Sequence, residues 1–220
     1  MTTDAGLVGR TGLQFYGKMC ASISHDIKNV LAVVNENAGL VEDLCFAAER
    51  GKPFDPLRLK RVAADVKAQI RRGDDIISGM NRFAHSVDSE SVQVSLPEII
   101  ELLSALCSRF AAMRGVALQV DRPEAAATVV TSPFLLLNLL WLCLELAMAA
   151  AGPDRTIVLS AARTENGACL RFRKLECLQN VPADAFSNEP AAALCRALNA
   201  EVRIDEQAQE IVARLADPRG

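Results

Sequence analysis

Apolar residues between residues 13 and 50 recur in alternating steps of three and four, and no proline interrupts them. This spacing is a heptad pattern, which predicts one long amphipathic helix with a single buried stripe. The stripe comprises Tyr16, Cys20, Ile23, Ile27, Val30, Val34, Asn37, Val41, Leu44 and Ala48. Residues 1 to 10 precede the pattern and are largely polar, so we expect them to be frayed.

A glycine and two prolines between residues 51 and 56 end this helix, and Asp55 is placed to cap a second helix that begins at Pro56. A second heptad stripe predicts that this helix continues to about Ser86. The stripe comprises Leu59, Val62, Val66, Gln69, Gly73, Ile76, Met80, Phe83 and Val87. Two long helices joined by so short a loop predict an antiparallel hairpin.

A lone hairpin would leave much of both stripes in contact with water. Further apolar residues widen the stripes, namely Leu31, Leu40, Leu57, Ile70 and Ile77. A second copy of the chain is the simplest partner that would cover them. The pattern therefore predicts a homodimer in which two hairpins form a four-helix bundle.

The pattern changes after the polar residues 88–91 to short alternating elements. Strands are predicted at residues 92–94, 116–120, 156–162, 168–174, 202–204 and 211–215, and helices at residues 97–113, 134–150 and 189–198. A turn at Glu165-Asn166-Gly167 joins two of the strands. This order predicts an α/β sandwich with helices on one face of a mixed sheet. The fold class is therefore α+β, with the helical hairpin over residues 1–90 and the α/β sandwich over residues 91–220.

Composition narrows the possible partners. The chain has 220 residues, of which 50% are apolar, and a net charge of −3, so it lacks the basic surface typical of nucleic-acid or anionic-membrane binding.

The longest apolar run, residues 134–151, contains Asn138 and Glu145 one heptad apart. It indicates a core helix with a polar pair bonding to the sheet, not a membrane span. Seven scattered cysteines and the lack of secretory-signal features at the N-terminus are typical of a reduced, cytoplasmic protein.

The candidate chemistry lies in the first helix, at His25-Asp26-Ile27-Lys28-Asn29. His25 falls between stripe positions 23 and 27, so its imidazole should face solvent. It can attack phosphorus if a neighbour orients the ring proton, and Asp26 is placed to do so. Asn29, one turn further on the same face, could hold a water, and Lys28 could contact a phosphate. From these residues alone, a solvated histidine without chemistry is the alternative. The second histidine, His85, is expected to interact with the helix dipole near the end of the second helix.

The segment His25-Asp26-Ile27-Lys28-Asn29-Val30-Leu31 resembles the phosphoacceptor box of sensor histidine kinases. In that family, the phosphorylated histidine is followed by an acidic residue and, at the third and fourth positions, by a basic residue and by Asn or Thr. Val30 departs from the proline often found next, which removes only a local kink. The element order also resembles the kinase core, in which a dimerisation hairpin precedes an ATP-binding sandwich.

The nucleotide-binding parts of that family are missing here. Leu142 and Cys143 stand where the family has a magnesium-binding Asn followed by Ala, and a methyl-tipped side chain cannot bind magnesium. Residues 173–177 lack the glycines of the adenine-reading loop, and residues 179–187 lack the glycine-rich lid. The resemblance thus implies a degenerate sandwich that binds no ATP.

A kinase core that keeps its phosphoacceptor box without an ATP site is similar to the dimeric histidine phosphotransferases, which relay phosphoryl groups between response-regulator receiver domains. In this interpretation His25 accepts and donates the phosphoryl group, Asp26 orients its ring, and Lys28 contacts phosphate or the receiver. No cofactor is expected, because the receiver brings its own Mg²⁺. Three alternatives remain: a non-catalytic pseudokinase scaffold, a receiver phosphatase that uses Asn29, and an autokinase with an unusual ATP site.

Overall fold

The computed structural model describes residues 4–121, 128–164, 167–182, 184–186 and 188–216. The chain divides into two compact units, one formed by residues 20–81 and the other by the residues before and after that range. The division falls inside the two long helices. The predicted boundary near residue 90 lies within the second unit, between a helix and the first strand.

Two long helices begin the chain, α1 at Asp4–Glu49 and α2 at Pro56–His85. The expectation that residues 1–10 are frayed is wrong for residues 4–10, which are helical; residues 1–3 lie outside the described residues. Tertiary contacts explain the extension. Asp4 forms a two-bond ion pair with Arg196, and a Cβ atom on the buried Gly12 would lie 3.0 Å from the ring of Phe134.

The unit of residues 20–81 is the predicted antiparallel hairpin. Ile23, Val30 and Val62 of the two stripes are buried, and Val30 faces Gly73, whose Cβ position lies 3.4 Å from the Val30 Cγ1 atom. Asp55 caps α2 as predicted, because its Oδ1 accepts hydrogen bonds from the backbone N–H groups of Leu57 at 2.9 Å and Arg58 at 3.3 Å.

The predicted apolar stripes are wrong at three residues, one in the first part of α1 and two near the end of α2. Tyr16 is half-exposed, while its neighbours Phe15 and Met19 are buried instead. Met80 and Val87 are also exposed. The apolar residues expected to widen the stripes are exposed in the single chain, namely Leu31, Leu40, Leu57, Ile70 and Ile77.

The residues after α2 form the α/β part. Its elements are β1 (Val92–Ser95), α3 (Leu96–Met113), β2 (Ala117–Asp121), β3 (Thr128–Thr131), α4 (Pro133–Ala149), β4 (Thr156–Thr164), β5 (Gly167–Arg173), a 3₁₀ turn (Leu178–Asn180), α5 (Glu189–Leu198), β6 (Ala200–Asp205) and β7 (Glu210–Ala216). Every predicted element is present. The turn predicted at residues 165–167 falls largely outside the described residues, because residues 165 and 166 are not among them.

The sheet prediction needs one correction. The unpredicted β3 pairs antiparallel with β1 in a separate two-stranded sheet, with Val94 opposite Val129. The remaining strands form the expected mixed sheet in the order β2-β4-β5-β7-β6, in which only β2 and β4 are parallel. β3 was not predicted, because its four residues, next to the cap of α4, are too few to show an alternation of apolar and polar positions.

Helix α4 contacts both α3 and α5, and all three helices contact the five-stranded sheet, as predicted. A row of paired residues, Leu159, Phe172 and Ile211, is buried across β4, β5 and β7. Most of α4 is buried, including Leu136, Leu140 and Leu144. None of the helices in the described part of the chain is both long and apolar enough to cross a membrane.

The cysteines are free thiols, and their surroundings differ. Cys107, Cys143 and Cys169 are buried, Cys45 is exposed, and the other three are half-buried. Burial raises the pKa of the Cys107 and Cys143 thiols well above the ordinary range, because the thiolate would be desolvated.

Candidate functional site

His25 stands on a part of α1 whose backbone is held by packing. Ile23 and Val30 are buried on the opposite side of the helix, and Ile27 is half-buried. The His25 side chain is 48% exposed. The structure therefore presents this imidazole to solvent, as the heptad spacing predicted.

Asn29 makes the closest polar contact with the His25 ring. Its Nδ2 atom lies 3.1 Å from Nδ1 of His25, a hydrogen-bonding distance. The two residues are four positions apart, so they are neighbours on the surface of the helix. The spacing predicted that Asn29 and His25 share a face, but the contact itself was not predicted, because spacing does not specify side-chain rotamers.

Asp26 and Lys28 surround the ring more loosely. The Oδ1 atom of Asp26 lies 3.9 Å from Nδ1 of His25, which is beyond hydrogen-bonding range but close enough for charge attraction. The Asp26 side chain is 21% exposed, so it is more buried than the ring. Lys28 is exposed, and its amine has no ion-pair or hydrogen-bond partner among the residues that the structure describes. Four predicted site residues thus share one turn of helix, with His25 and Asn29 in direct contact.

His85 has a different environment at the end of α2. Its Nδ1 atom lies 2.8 Å from Oδ2 of Asp88, just beyond the helix, and its side chain is 80% exposed. A basic residue in the last turn interacts favourably with the helix dipole. The geometry fits the structural role expected for this histidine.

The prediction that Asn138 and Glu145 of α4 form a polar pair bonding to the sheet is wrong. Asn138 is completely buried, and neither atom of its amide has a hydrogen-bond partner in the described part of the structure. Glu145 is half-exposed and pairs with Lys18 at 3.2 Å and with Arg114 at 3.8 Å. The two residues therefore do not form a buried pair that bonds to the sheet, because Glu145 lies two turns nearer the end of α4, where these cations reach it.

The segment after β5 is filled by side chains. Leu175 is completely buried, and the Glu176 carboxylate lies 2.8 Å from the Cβ position of Gly152. Lys174 pairs with Asp154 at 3.1 Å. Backbone N–H donation from Thr156 lowers the pKa of Asp154, and the hydrogen bond and charge of Lys174 lower it further. The following segment was predicted to lack a glycine-rich lid; it contains the 3₁₀ turn, and residues 183 and 187 lie outside the described residues.

The outer face of the five-stranded sheet carries two open grooves, with volumes of about 620 and 960 Å³. Arg171 and Arg214 line both grooves, and Arg171 forms an ion pair with Glu210. None of the predicted site residues lines either groove. Within the described ranges, no three His, Cys, Asp or Glu side chains converge on a point where a metal ion could bind.

Comparisons with known proteins complete these observations. No protein-family model matches the sequence, and the curated proteins include no significant match. Among solved structures, the chain is similar to the Acinetobacter baumannii histidine kinase AdeS, with 12% identity and a TM-score of 0.46 over 83% of this chain and 95% of that one. It is also similar to a bacterial phosphotransferase, with 17% identity and a TM-score of 0.47 over 92% and 95% of the two chains.

A third similar structure is the ATP-binding domain of PrrB from Mycobacterium tuberculosis. It shares 14% identity and a TM-score of 0.47 over 59% of this chain and 99% of that domain. At such identities and TM-scores, these likenesses do not assign an activity.

Proposed function

We propose that this chain is a histidine phosphotransferase that relays phosphoryl groups between response-regulator receiver domains through His25, without binding ATP. The observation that supports this most is the presentation of one imidazole, 48% exposed, on a helix whose opposite side is buried. A receiver's phosphoaspartate can reach such a ring, while the packed backbone beneath it keeps the ring in place. The resemblance of residues 25–31 to the phosphoacceptor box supports the same chemistry.

In the proposed step, the lone pair of His25 Nε2 attacks the phosphorus atom of the receiver's aspartyl phosphate. The N–P bond forms as the P–O bond breaks, and the receiver's aspartate leaves as a carboxylate. Nδ1 keeps its proton, so the ring becomes cationic, and the charge of Asp26, 3.9 Å away, stabilises it. Attack on the phosphohistidine by the next receiver's carboxylate reverses the step.

Lys28 and the receiver supply the remaining positive charge. The free amine of Lys28 lies on the same turn as His25, where it is available to the phosphate or to the receiver's acidic pocket. The receiver brings Mg²⁺ to its own phosphorylation site. This chain therefore needs no metal ligand of its own.

Three observations in the α/β unit favour a domain that binds no nucleotide. Leu142 occupies the position expected to hold a magnesium ligand, and its side chain has no donor atom. Asn138, which resembles the Asn four positions before the family's magnesium ligand, is completely buried. Leu175, where a glycine loop would approach the nucleotide, is also completely buried.

The exposed apolar residues of the hairpin support a homodimer. Leu31 is 61% exposed and Ile70 is 51% exposed in the single chain. A second hairpin would remove both from water and complete a four-helix bundle. The free cysteines suit the reducing cytoplasm, and we propose that the relay operates there.

The test is transfer of radiolabel from purified receiver domains that have been phosphorylated with labelled acetyl phosphate. We expect an acid-labile label on the wild-type chain and none on His25→Gln, because glutamine has no nucleophilic nitrogen. His85→Gln is the matched control and should still accept label. Label on the His25→Gln protein, or none on the wild type with any receiver of the same cell, would contradict the proposal.

The same experiment separates the alternatives. A pseudokinase scaffold would bind receivers without carrying label, and an autokinase would take label directly from ATP. A receiver phosphatase that uses the amide of Asn29 would release inorganic phosphate from the receiver, and this release would fall in Asn29→Ala. The exposed amide of Asn29 beside the His25 ring is the observation that supports the phosphatase alternative.

A further inference from the structure

The His25 ring has two nitrogens in different surroundings. Nδ1 lies 3.1 Å from the Nδ2 atom of Asn29 and 3.9 Å from the Oδ1 atom of Asp26. No contact of Nε2 with another side chain is found among the described residues, and the His25 side chain is 48% exposed. Nε2 is therefore the nitrogen that is accessible to a partner protein. Nδ1 is the nitrogen that lies close to other side chains of this chain.

A neutral imidazole carries one proton and one lone pair on its two nitrogens, and only the nitrogen with the lone pair can attack phosphorus. If Nε2 is to attack, the proton must be on Nδ1, so Nδ1 needs an acceptor. Asn29 can provide one, because a half-turn about the bond between Cβ and Cγ exchanges its NH₂ group for its carbonyl oxygen. In the structure the Nδ2 atom of Asn29 faces Nδ1. In that orientation the ring carries its proton on Nε2 and cannot attack from there, so the attacking tautomer requires this half-turn of the amide.

The charge of Asp26 favours the oxygen-facing orientation. Its carboxylate attracts a proton on Nδ1 and repels a lone pair there. A proton on Nδ1 in turn hydrogen-bonds to the carbonyl oxygen of Asn29. Adjacent residues on a helix do not face each other, whereas residues four apart do, which explains why Asn29 makes the contact and Asp26 acts only through its charge.

We propose that Asn29 is a positioning residue that selects the His25 tautomer with its proton on Nδ1 and so exposes the Nε2 lone pair. The part that concerns transfer rates rests on the phosphotransferase function proposed above. The part that concerns the tautomer does not, because it is a property of the resting chain.

Heteronuclear NMR of the isotopically labelled full chain tests the tautomer directly. The chain has only two histidines, so His85→Gln leaves the ring of His25 as the sole imidazole. The spectra are recorded at about pH 9, where free histidine is neutral. We expect the Nδ1 shift of a protonated nitrogen and the Nε2 shift of a nitrogen with a lone pair.

Variants in the His85→Gln background then separate the roles. Asn29→Ala should move both nitrogen shifts toward a mixture of tautomers, whereas Asn29→Asp, which can only accept, should restore the wild-type pattern. Asn35→Ala removes another exposed amide of α1 and should change nothing. A wild-type ring protonated mainly on Nε2, or shifts that are unaltered in a folded Asn29→Ala protein, would overturn the proposal.

Rates provide the second measurement. Loss of one hydrogen bond corresponds to a fall of about tenfold in phosphoryl transfer for Asn29→Ala, with Asn29→Asp closer to the wild type. If the wild type carries label but neither the tautomer nor the rate depends on Asn29, this inference fails and the phosphotransferase stands. If the tautomer depends on Asn29 but no receiver labels the wild type, the proposed function fails instead.

Discussion

The ring of Phe15 meets the ring of Phe83 edge-on, with 5.4 Å between their centroids and an angle of 85° between their planes. Tyr16 stacks on the Phe83 ring with 5.3 Å between centroids, and the ring of Phe134 in α4 lies 6.1 Å from that of Phe83. This aromatic cluster joins the ends of α1 and α2 to the α/β part within one compact unit. Such pairs add stabilisation beyond the burial of their area.

The first prediction concerns this cluster. Phe83→Ala should lower the free energy of unfolding by about 3–5 kcal/mol, because it removes a fully packed aromatic ring and leaves a cavity. Phe83 is 1% exposed, whereas Phe54 in the loop between the helices is 52% exposed. Phe54→Ala is therefore the control and should change little. Urea unfolding followed by circular dichroism provides the measurement, and a loss below about 1 kcal/mol for Phe83→Ala would contradict the packing described.

The buried amide of Asn138 leads to the second prediction. Both polar atoms lack partners among the described residues, and an unsatisfied buried amide costs about 1–3 kcal/mol. Asn138→Leu keeps the branched shape and removes the cost, so it should raise the free energy of unfolding by about 1–2 kcal/mol. The reciprocal control, Leu140→Asn at another fully buried position of α4, should destabilise the chain. If Asn138→Leu is destabilising, the amide has a partner in solution, such as a buried water.

The third prediction concerns acid stability. The Asp154 carboxylate accepts hydrogen bonds from the Thr156 N–H and from Lys174, each at 3.1 Å, and its pKa is lowered from 3.8. Because the pKa is lower in the folded state than in the unfolded state, the contribution to stability is present above about pH 4 and is lost as the pH falls through the folded value. Asp154→Asn should thus lower the melting temperature at pH 7 more than at about pH 2.

Thermal unfolding at the two pH values checks this expectation. Asp184 is an exposed carboxylate of the same unit, and Asp184→Asn should not change the difference between the two melting temperatures. An Asp154→Asn protein with the same pH dependence as the wild type would show that these hydrogen bonds do not survive in solution.

The long helices could be predicted from the sequence because their heptad stripes repeat over many turns, and each repeat adds to the same signal. The exposure of His25 followed from its place between Ile23 and Ile27 in that repeat. Asn29 was assigned to the same face for the same reason. Its hydrogen bond to the ring depends on side-chain rotamers, which periodicity does not specify.

Contacts between distant parts of the chain could not be predicted in this way. Asp4 and Arg196 are 192 positions apart, and nothing in the first residues indicates the partner that makes them helical. The ion pairs of Glu145 likewise depend on where Lys18 and Arg114 lie in three dimensions. Such features arise from tertiary packing, which overrides local propensity.

The last prediction concerns the homodimer. Ile70 and Ile77 lie seven positions apart on α2, so they share one face, and they are 51% and 46% exposed. Replacing both with Glu would bring charges into the proposed interface between hairpins, where their desolvation opposes association. We expect the wild type to have about twice the chain mass of 23.7 kDa in light scattering and the Ile70→Glu, Ile77→Glu protein to have the mass of one chain. Arg71→Glu alters the charge of an exposed neighbour and should leave the dimer intact. A wild type with the mass of a single chain at micromolar concentration, or a double variant that remains dimeric, would show that this face is not the interface.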